Sequence, residues 1–280
     1  MRLFKQYPPE ERRKRAKRRV IVYGTLIAAI VGFYFYQPQR INFFPAKPLQ
    51  PNPMLDPDSS ALFSKGVKIA LIQAHPDDSE FFLGPLLLRL KASGAEIHQL
   101  VMTDGDKSFY FWQHEDPAEN RRAREAEQRE AASHYAVDVT FFHKPDGRLA
   151  GQSDNTELVR KFLEDVKPDY VIAFDPVYWP RVNHADHLAS GRAAVDAVSE
   201  MDSKDKPKWL LLYDSSAHNY TADVTKTVDE GAAMLAIHKS QFAGERLKRI
   251  TDFRMATWYE DGQAANESYG IALRAVKVKQ

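Results

Sequence analysis

The chain contains 280 residues, of which 44% are hydrophobic and 28% are charged, which suits one globular domain with an appendage. Its net charge of +1 conceals an uneven distribution, because the first 40 residues contain ten basic and two acidic side chains whereas acids outnumber bases in the remainder. An acidic main part argues against nucleic acid as a partner, which requires a basic face. The absence of cysteine excludes disulfides and restricts any zinc site to histidine and carboxylate ligands.

A basic segment followed by an uncharged segment predicts a membrane anchor near the N-terminus. Residues 14–19 are almost wholly basic, and residues 20–36 carry no charge and end in aromatic side chains. A helix of this length spans roughly 25 Å, near the short limit for crossing a bilayer. A cleaved signal peptide and a buried core helix are the alternatives, but the apolar run is long for the first and the basic cluster disfavours the second. We therefore expect a cytoplasmic segment at residues 1–19 and one transmembrane helix at 20–36.

Charge asymmetry across this helix predicts its orientation. Eight basic residues lie between Lys5 and Arg19, and only Arg40 and Lys47 lie just beyond the span. The positive-inside rule then keeps the N-terminus in the cytoplasm and places the main domain in the periplasm or outside the cell. Six prolines between residues 37 and 64 predict an extended linker, so the main domain is expected to occupy residues 65–280.

Strand and helix patterns alternate from residue 67 onward. The predicted strands are Val67–Gln73, Glu96–Thr103, Val137–His143, Tyr170–Phe174 and Trp209–Tyr213, and the predicted helices are Phe81–Ala92, Glu119–Tyr135, Asn155–Val166, His187–Val198 and Glu230–Ser240. This order predicts an α/β fold, in which a Rossmann-like, mostly parallel sheet is flanked by helices. No Gly-x-Gly-x-x-Gly follows the first strand, which argues against a nucleotide cofactor.

A histidine and two carboxylates, His75, Asp77 and Asp78, follow the first predicted strand. Sites in parallel sheets form at the carboxyl ends of the strands. A ligand pair three residues apart, His75 with Asp78, fits a tight strand-to-helix turn, and Asp77 is then free to act on a metal-bound water. Helix capping is the alternative role for Asp78. Capping accounts for one polar residue, but not for a histidine together with two carboxylates.

A second polar cluster, His184, Asp186 and His187, follows the fourth predicted strand after a short loop. Two histidines three residues apart with an acid between them fit a metal ligand and a partner, although such pairs also occur by chance on surfaces. The two clusters together supply two histidines and one carboxylate, a set that binds catalytic zinc and leaves a position open for water. An ordinary helix N-cap is the alternative role for Asp186.

These motifs resemble those of the PIG-L family of zinc-dependent N-acetylglucosamine de-N-acetylases. His-Pro-Asp-Asp-x-Glu at 75–80 and His-x-Asp-His at 184–187 resemble the two main motifs of the family. Thr-x-Gly at 103–105, Arg-x-x-Glu at 124–127 and His-x-Ser-Gln at 238–241 follow in the order found in the family. The sequence at 135–137 is Tyr-Ala-Val, whereas the family usually has Leu-Gly-Val. We interpret this difference as a change in side-chain packing.

The resemblance implies a metal centre and a catalytic base. A zinc ion would be held by His75, Asp78 and His187, although the same ligand set also serves other divalent ions. The ion would activate a water molecule, and Asp77 would be the general base that takes its proton.

The resemblance also implies roles for four further side chains. Protonated His184 would stabilise the tetrahedral oxyanion, and either His184 or the protonated base would give a proton to the leaving amine. Asp186 would orient or charge His184. Arg124 and Asp146 are predicted to bind substrate, the first at a phosphate or polar group and the second at sugar hydroxyls. A surface salt bridge and a plain turn are their respective alternatives.

The expected function is removal of the acetyl group from N-acetylglucosamine in a glycan or glycolipid. The predicted anchor favours a lipid-linked or cell-surface substrate. Two alternatives stay open, namely a glycan-binding or assembly protein without turnover and a deacylase for another N-acyl group. Family members that keep an anchored catalytic domain in the cytoplasm oppose the orientation predicted from charge.

Overall fold

In the computed structural model, a seven-stranded sheet is covered by helices on both faces. The structure describes residues 59–107, 116–179 and 183–279, together with positions 14, 23, 41 and 42. Residues 39–280 form one compact unit. The predicted transmembrane helix at 20–36 lies outside the described residues apart from Tyr23. No helix among the described residues is long and apolar enough to cross a membrane.

Five parallel strands occupy one side of the sheet, and two antiparallel strands complete the other side. The described strands are β1 (Ile41–Asn42), β2 (Lys68–Gln73), β3 (Glu96–Thr103), β4 (Asp138–Lys144), β5 (Tyr170–Phe174), β6 (Asn183–His184), β7 (Trp209–Tyr213), β8 (Tyr220–Asp223) and β9 (Gly270–Lys277). The sheet order is β4-β3-β2-β5-β7-β9-β8, and β1 pairs separately with β6. Strand β2 therefore lies at the centre of the parallel part, directly beside β5.

The apolar runs form these strands because both faces of the sheet are covered. Along β2, Ile69 and Leu71 enter one hydrophobic core, whereas Ala70 and Ile72 enter the other. All residues of β5 and β7 are buried. A strand that is buried on both faces has no polar alternation, and this explains the continuous apolar runs in the sequence.

Seven α-helices are described around the sheet, and they divide between its two faces. They are α1 (Ser59–Leu62), α2 (Asp78–Ser93), α3 (Pro117–Tyr135), α4 (Asn155–Val166), α5 (Ala185–Glu200), α6 (Val228–Ala233) and α7 (Gly244–Ala264). Helices α2, α3, α6 and α7 contribute to the core on one face, and α4 and α5 contribute to the core on the other. The close approach of α2 to α6 depends on Gly84, where a Cβ atom would lie 2.8 Å from the Gly231 carbonyl oxygen.

The predicted α/β fold with a mostly parallel sheet flanked by helices is confirmed. All five predicted strands are present, whereas α7, β8 and β9 were not predicted as elements. The predicted linker, residues 37–64, is described only in part. Within it, Leu62 is fully buried in the hydrophobic core and residues 41–42 pair with β6, so the folded unit includes residues before position 65.

Candidate metal centre and active site

The sheet topology brings the two predicted histidine clusters together. Strand β2 ends at Gln73 and leads directly into the turn that carries His75 and Asp78. Its neighbour β5 ends at Phe174, and the chain returns through β6 to His187 in the first turn of α5. Because β2 and β5 are parallel neighbours, their carboxyl ends lie at the same edge of the sheet.

His75, Asp78 and His187 converge with the geometry of a metal site. One potential ligand atom from each lies within 4.8 Å of the others. His187 Nε2 is 3.2 Å from Asp78 Oδ1, and His75 Nδ1 is 3.5 Å from Asp78 Oδ2. Ligand atoms bound to tetrahedral zinc at about 2.1 Å lie about 3.4 Å apart, so each histidine lies at a suitable distance from the Asp78 carboxylate, although from a different oxygen. The predicted ligand set is therefore assembled in space, and its donors suit zinc or a similar divalent cation.

Asp78 is fixed as an ionised carboxylate. Its Oδ2 accepts hydrogen bonds from the backbone N–H groups of Ala74 at 3.0 Å and His75 at 2.7 Å, which leaves Oδ1 directed at His187. Burial opposes ionisation, but the charges of His187 and His75 outweigh it and hold the pKa of Asp78 well below its usual value. The same ion pairing raises the pKa of His75 despite the opposing effect of burial.

His187 is oriented by a short chain of hydrogen bonds. Its Nδ1 lies 2.7 Å from Asn183 Oδ1, which only accepts, so Nδ1 carries the proton and Nε2 keeps its lone pair for a metal. The Asn183 amide is held in turn, because its Nδ2 donates to Asp214 Oδ2 at 2.8 Å. The ring also stacks on Phe174, with a centroid distance of 4.0 Å. Second-layer contacts of this kind set the direction and basicity of a metal ligand.

Asp186 and Asp146 both face the second ring nitrogen of His75. Each has a carboxylate oxygen 3.5 Å from His75 Nε2. The Asp186 carboxylate also accepts hydrogen bonds from the N–H groups of Gly147 at 2.6 Å and Leu149 at 2.9 Å, and so holds the turn that carries Asp146. This geometry differs from the predicted role, because the carboxylate of Asp186 lies against His75 and the 147–149 turn. Only its backbone N–H contacts His184.

Asp146 lies in the site, as predicted, and is almost fully buried. Burial opposes its ionisation, but the hydrogen bond to His75 and the nearby charges of His75 and Arg124 hold its pKa well below the usual value. Its Oδ2 accepts from the Lys107 N–H at 2.9 Å. With His75 and His184, it forms a second group of potential ligand atoms within 4.8 Å of one another. Its predicted contact with sugar hydroxyls stays a prediction.

Asp77 is held by Arg124 and Gln128 from helix α3. Its backbone has a positive φ of 99°, a left-handed conformation that is strained for any residue with a side chain. The Gln128 Oε1 accepts from the Asp77 N–H at 2.8 Å, and Arg124 Nη2 donates to Asp77 Oδ2 at 2.9 Å. Burial raises the pKa of Asp77, with the Arg124 charge opposing it and the Asp78 charge adding to it. A raised pKa suits a carboxylate that must take up a proton near neutral pH.

The guanidinium of Arg124 binds protein acceptors around the predicted base. Its Nη1 donates to the Gly105 carbonyl oxygen at 2.6 Å, and its Nη2 donates to the Pro76 carbonyl oxygen and to Asp77. Both terminal nitrogens therefore bind protein acceptors, and the side chain is buried. Arg124 therefore fixes the turn around the predicted base, and its predicted contact with substrate stays a prediction.

His184 completes the group of three imidazoles. The sequence predicted a protonated ring, but the pKa of His184 favours the neutral form. Its ring centre is 4.7 Å from that of His75 and 5.4 Å from that of His187. Burial and the charges of these two neighbours lower the pKa of His184 to about 2. Its Nδ1 accepts from the Asp186 N–H at 3.2 Å, so the neutral ring carries its proton on Nε2. His184 is therefore placed as a neutral hydrogen-bond donor.

Other residues from the motifs that resemble the PIG-L family form a buried polar network next to the turn that carries His75 and Asp78. Glu80 Oε2 lies 2.8 Å from His238 Nε2, and both side chains are fully buried. Burial opposes protonation of His238, but the bond to Glu80 outweighs it and raises the pKa of His238. Glu127 accepts hydrogen bonds from the Ser240 N–H at 2.8 Å and the Ser240 hydroxyl at 2.6 Å. These contacts tie α2 and α3 to the segment before α7.

Asn183 and Asp214 are site residues that the sequence reasoning missed. Asn183 immediately precedes His184, and Asp214 follows β7 directly. The signal was available, because polar residues at the carboxyl end of a buried parallel strand are candidates for the same reason as His75. Asp214 directly follows the fifth predicted strand, as His75 follows the first.

The fold and this site define an α/β protein with a candidate metal centre at the carboxyl edge of its parallel strands. The family model described as PIG-L, GlcNAc-PI de-N-acetylase, matches residues 70–198, which include both histidine clusters. Residues 70–198 therefore carry a match to the PIG-L family, the family that the sequence motifs resemble. The probable N-acetyl-alpha-D-glucosaminyl L-malate deacetylase 2 of Bacillus anthracis is 23% identical over 217 residues, covering 69% of this chain and 87% of that protein.

Two solved structures share the architecture. The N,N'-diacetylchitobiose deacetylase of Pyrococcus horikoshii has a TM-score of 0.71 and 23% identity, covering 80% of this chain and 87% of that chain. The 4-carboxy-2-hydroxymuconate hydratase GalB of Pseudomonas putida KT2440 has a TM-score of 0.64 and 17% identity, covering 77% of this chain and 98% of that chain. These likenesses show the fold alone. Since one of the two proteins is a hydratase, the reaction must be argued from the site.

Proposed function

We propose that this protein is a metal-dependent hydrolase that removes the acetyl group from N-acetylglucosamine in a glycan or glycolipid. The observation that carries this proposal is the convergence of His75, Asp78 and His187 beside a separate carboxylate, Asp77, and a neutral imidazole, His184. Amide hydrolysis needs an electrophile, a base for water and a donor for the oxyanion. The family model and the Bacillus anthracis relative both name N-acetylglucosamine-containing compounds, which supports the sugar as the substrate.

A metal held by the three ligands would supply Lewis-acid chemistry, polarising the acetamide carbonyl and acidifying water. Asp77 takes the proton from the attacking water. Arg124 binds this carboxylate and Gln128 holds the Asp77 backbone, so little reorganisation is needed when the reaction begins. The strained backbone at Asp77 is consistent with a position selected for function.

His184 stabilises the oxyanion that forms when water attacks. Its Nδ1 is occupied by the Asp186 N–H, so Nε2–H is the group available to donate to developing negative charge. A neutral donor is also the form that a nearby cation favours, because a second positive charge would be repelled. The leaving amine then receives its proton from Asp77, which acquired one from water. The products are acetate and a free amino sugar.

The proposed setting is a membrane surface. The basic cluster at residues 14–19 and the uncharged segment at 20–36 support an N-terminal single-pass anchor with its N-terminus in the cytoplasm. The catalytic domain then faces the periplasm or the outside of the cell, near lipid-linked or cell-surface glycans. In intact spheroplasts, added protease should digest this domain while cytoplasmic marker proteins survive. Complete protection of the domain would reverse the orientation.

Acetate release tests the proposed reaction. The full-length protein in detergent is treated with chelator and supplied with zinc or another divalent ion, together with a panel of N-acetylglucosamine compounds. Metal-dependent acetate release that Asp77→Asn abolishes is the expected result. Asp154→Asn is the matched control, because Asp154 pairs with Lys144 on the surface. Full activity of Asp77→Asn would remove this residue from the mechanism.

The panel also separates the two alternative functions. In one outcome, the protein binds one metal tightly, releases no acetate and yet releases a different acid from other N-acyl sugars. This result would identify it as a deacylase for that other acyl group. Absence of both metal binding and acid release would favour a glycan-binding or assembly protein. The full-length protein is preferable to a fragment starting at residue 65, because Leu62 is part of the core.

A further inference from the structure

Arg254, on helix α7, is a buried cation surrounded by aromatic rings. Only 7% of the residue is exposed. Its guanidinium carbon lies 5.1 Å from the ring centres of Phe81 and Trp258, 5.3 Å from that of Phe82 and 5.8 Å from that of Phe253. These faces attract a cation, but they do not accept the directed hydrogen bonds that a guanidinium offers.

The guanidinium has no polar partner in the described part of the chain. Nε is buried without an acceptor, and none of the described residues hydrogen-bonds to Arg254 or forms an ion pair with it. Asp214 and Asp261 both influence Arg254 electrostatically, but the Asp214 carboxylate accepts from the Asn183 amide and the Asp261 carboxylate accepts from the Ala272 N–H. Burial lowers the pKa of Arg254 to about 10, so the side chain remains charged at neutral pH. A buried charge without an acceptor is costly, and proteins normally avoid this arrangement.

Arg254 lies next to the candidate metal centre. Its guanidinium carbon is 5.3 Å from the centre of the Phe82 ring, and that ring centre is 6.0 Å from the centre of the His187 ring. Phe82 lies in the first turns of α2, the helix that begins at Asp78. One aromatic side chain therefore separates the unpartnered cation from a proposed metal ligand.

We propose that Arg254 is an anion-binding subsite that receives a carboxylate or phosphate on the group attached to the sugar. This proposal deepens the proposed function and rests on it for the identity of the sugar. Guanidinium groups bind carboxylates and phosphates through paired N–H donors, and a desolvated site strengthens such bonds. The other buried arginine near the site, Arg124, uses both terminal nitrogens on protein acceptors. Arg254 is therefore the buried arginine whose N–H donors are available to the anionic group of the substrate.

Three variants of the full-length protein test the subsite. Arg254→Met removes the charge and keeps an apolar side chain among the rings, and Arg254→Lys keeps the charge without the planar fork. Arg249→Met, at an exposed position of the same helix, is the matched control. Each is assayed on three N-acetylglucosaminides that carry a carboxylate, a phosphate or a neutral methyl aglycone. Separate kcat and KM values distinguish binding from chemistry.

The expected result is selective loss of the anionic substrates. Arg254→Met should lower kcat/KM by about 10- to 100-fold for the carboxylate or the phosphate substrate, mainly through KM, as for loss of a charge-assisted hydrogen bond. Arg254→Met should hydrolyse the neutral substrate with the same kcat and KM as the wild-type protein. This result would also verify that the variant is folded and loaded with metal. Arg254→Lys should lose less, and the more strongly affected aglycone identifies the anion. An equal loss on all three substrates, or no loss on any, would overturn the subsite.

A binding measurement separates failure of the subsite from failure of the proposed function. Malate and inorganic phosphate are titrated into the metal-loaded wild-type protein and the variants by isothermal titration calorimetry. Weaker binding to Arg254→Met than to Arg249→Met supports the subsite even if no substrate releases acetate. Equal binding to wild type and Arg254→Met overturns it, whatever the outcome of the acetate assay.

Discussion

The turn that carries Asp77 and Asp78 and the segment 183–187 face each other across the site, and they are held by different means. The first is embedded in buried polar side chains, since Arg124 and Gln128 bind it from α3 and Glu80 joins it to His238. The second depends on fewer contacts. Asn183 alone connects His187 to Asp214, and the Asp186 backbone orients His184.

This difference teaches which parts of the site tolerate change. A side chain that several partners fix keeps its geometry when one partner is lost, whereas a side chain with one partner does not. The first turn should therefore keep its shape in variants that alter its chemistry. The second segment should lose ligand orientation when a single amide is removed.

The largest expected effect is loss of the metal from Asp78→Asn. Asp78 offers Oδ1 to the metal position, while its Oδ2 is occupied by two backbone N–H groups. An asparagine can keep those backbone bonds but brings no negative charge. Metal affinity should fall by more than about 100-fold, beyond the usual effect of an outer-layer change, and acetate release should fall to background. Metal content by mass spectrometry and acetate release are the measurements, with far-ultraviolet circular dichroism as a check on folding. Stoichiometric metal in this variant would contradict the ligand assignment.

The next effect is on the segment 183–187, through Asn183→Ala. Without the Asn183 carbonyl, His187 Nδ1 loses its acceptor and the ring loses its fixed tautomer. Metal affinity should fall by about 10- to 100-fold, as for other second-layer partners. Competition with a chelator of known affinity measures this change.

Asp214→Asn should have an intermediate effect on metal affinity in the same measurement. An asparagine still offers an oxygen to Asn183 Nδ2 but lacks the charge, so its metal affinity should fall between wild type and Asn183→Ala. Equal affinity in wild type and Asn183→Ala would mean that Phe174 stacking alone fixes His187.

A smaller effect is expected on the first turn when Arg124 is replaced. The Arg124 charge opposes the burial that raises the pKa of Asp77, so Arg124→Met should raise that pKa further. A base must be unprotonated to act, and the acid limb of kcat/KM should therefore move to higher pH. Arg121→Met is the control, because Arg121 pairs with Asp104 from a half-exposed position on the same helix. An acid limb that stays in place in Arg124→Met would indicate that Asp77 is not the titrating base.

Most of the sheet could be predicted because strands that are buried on both faces have unbroken apolar runs in the sequence. The convergence of His75 and Asp78 in the candidate metal centre could be predicted because both residues come directly after such a run. The C-terminal part gave weaker signals. Helix α7 buries only Arg254, Trp258 and Gly262, a stripe with one residue every four positions and a charged member. The apolar face of such a helix is weak in the sequence, and the sequence alone does not distinguish a buried arginine from a surface one.

The roles of individual side chains were harder to predict than their presence in the site. Arg124, Asp186 and His184 all lie where the motifs imply, but their tasks depend on which atoms meet. The neutral state of His184 follows from burial beside two other imidazoles. A sequence shows that three histidines are present and does not show that their rings touch.

The smallest expected effect concerns stability and the buried pair of Glu80 and His238. The pKa of His238 is raised in the folded protein, so its contribution to the free energy of unfolding is complete below the ordinary histidine value of about 6.5. That contribution is lost as the pH rises through the raised value. His238→Gln should therefore lower the free energy of unfolding at pH 6 by roughly 1–3 kcal/mol, the range for a hydrogen bond to a charged group. The gap to wild type should narrow toward pH 9.

Urea unfolding of the metal-loaded proteins at several pH values measures this gap, and His134→Gln is the control because His134 is exposed. The control should follow wild type at every pH. If the gap for His238→Gln stayed constant from pH 6 to pH 9, His238 would be neutral in the folded protein and Glu80 would be bound without a second charge. Such a result would leave the first turn well connected. Its rigidity would then come from packing and from hydrogen bonds that do not depend on a charged His238.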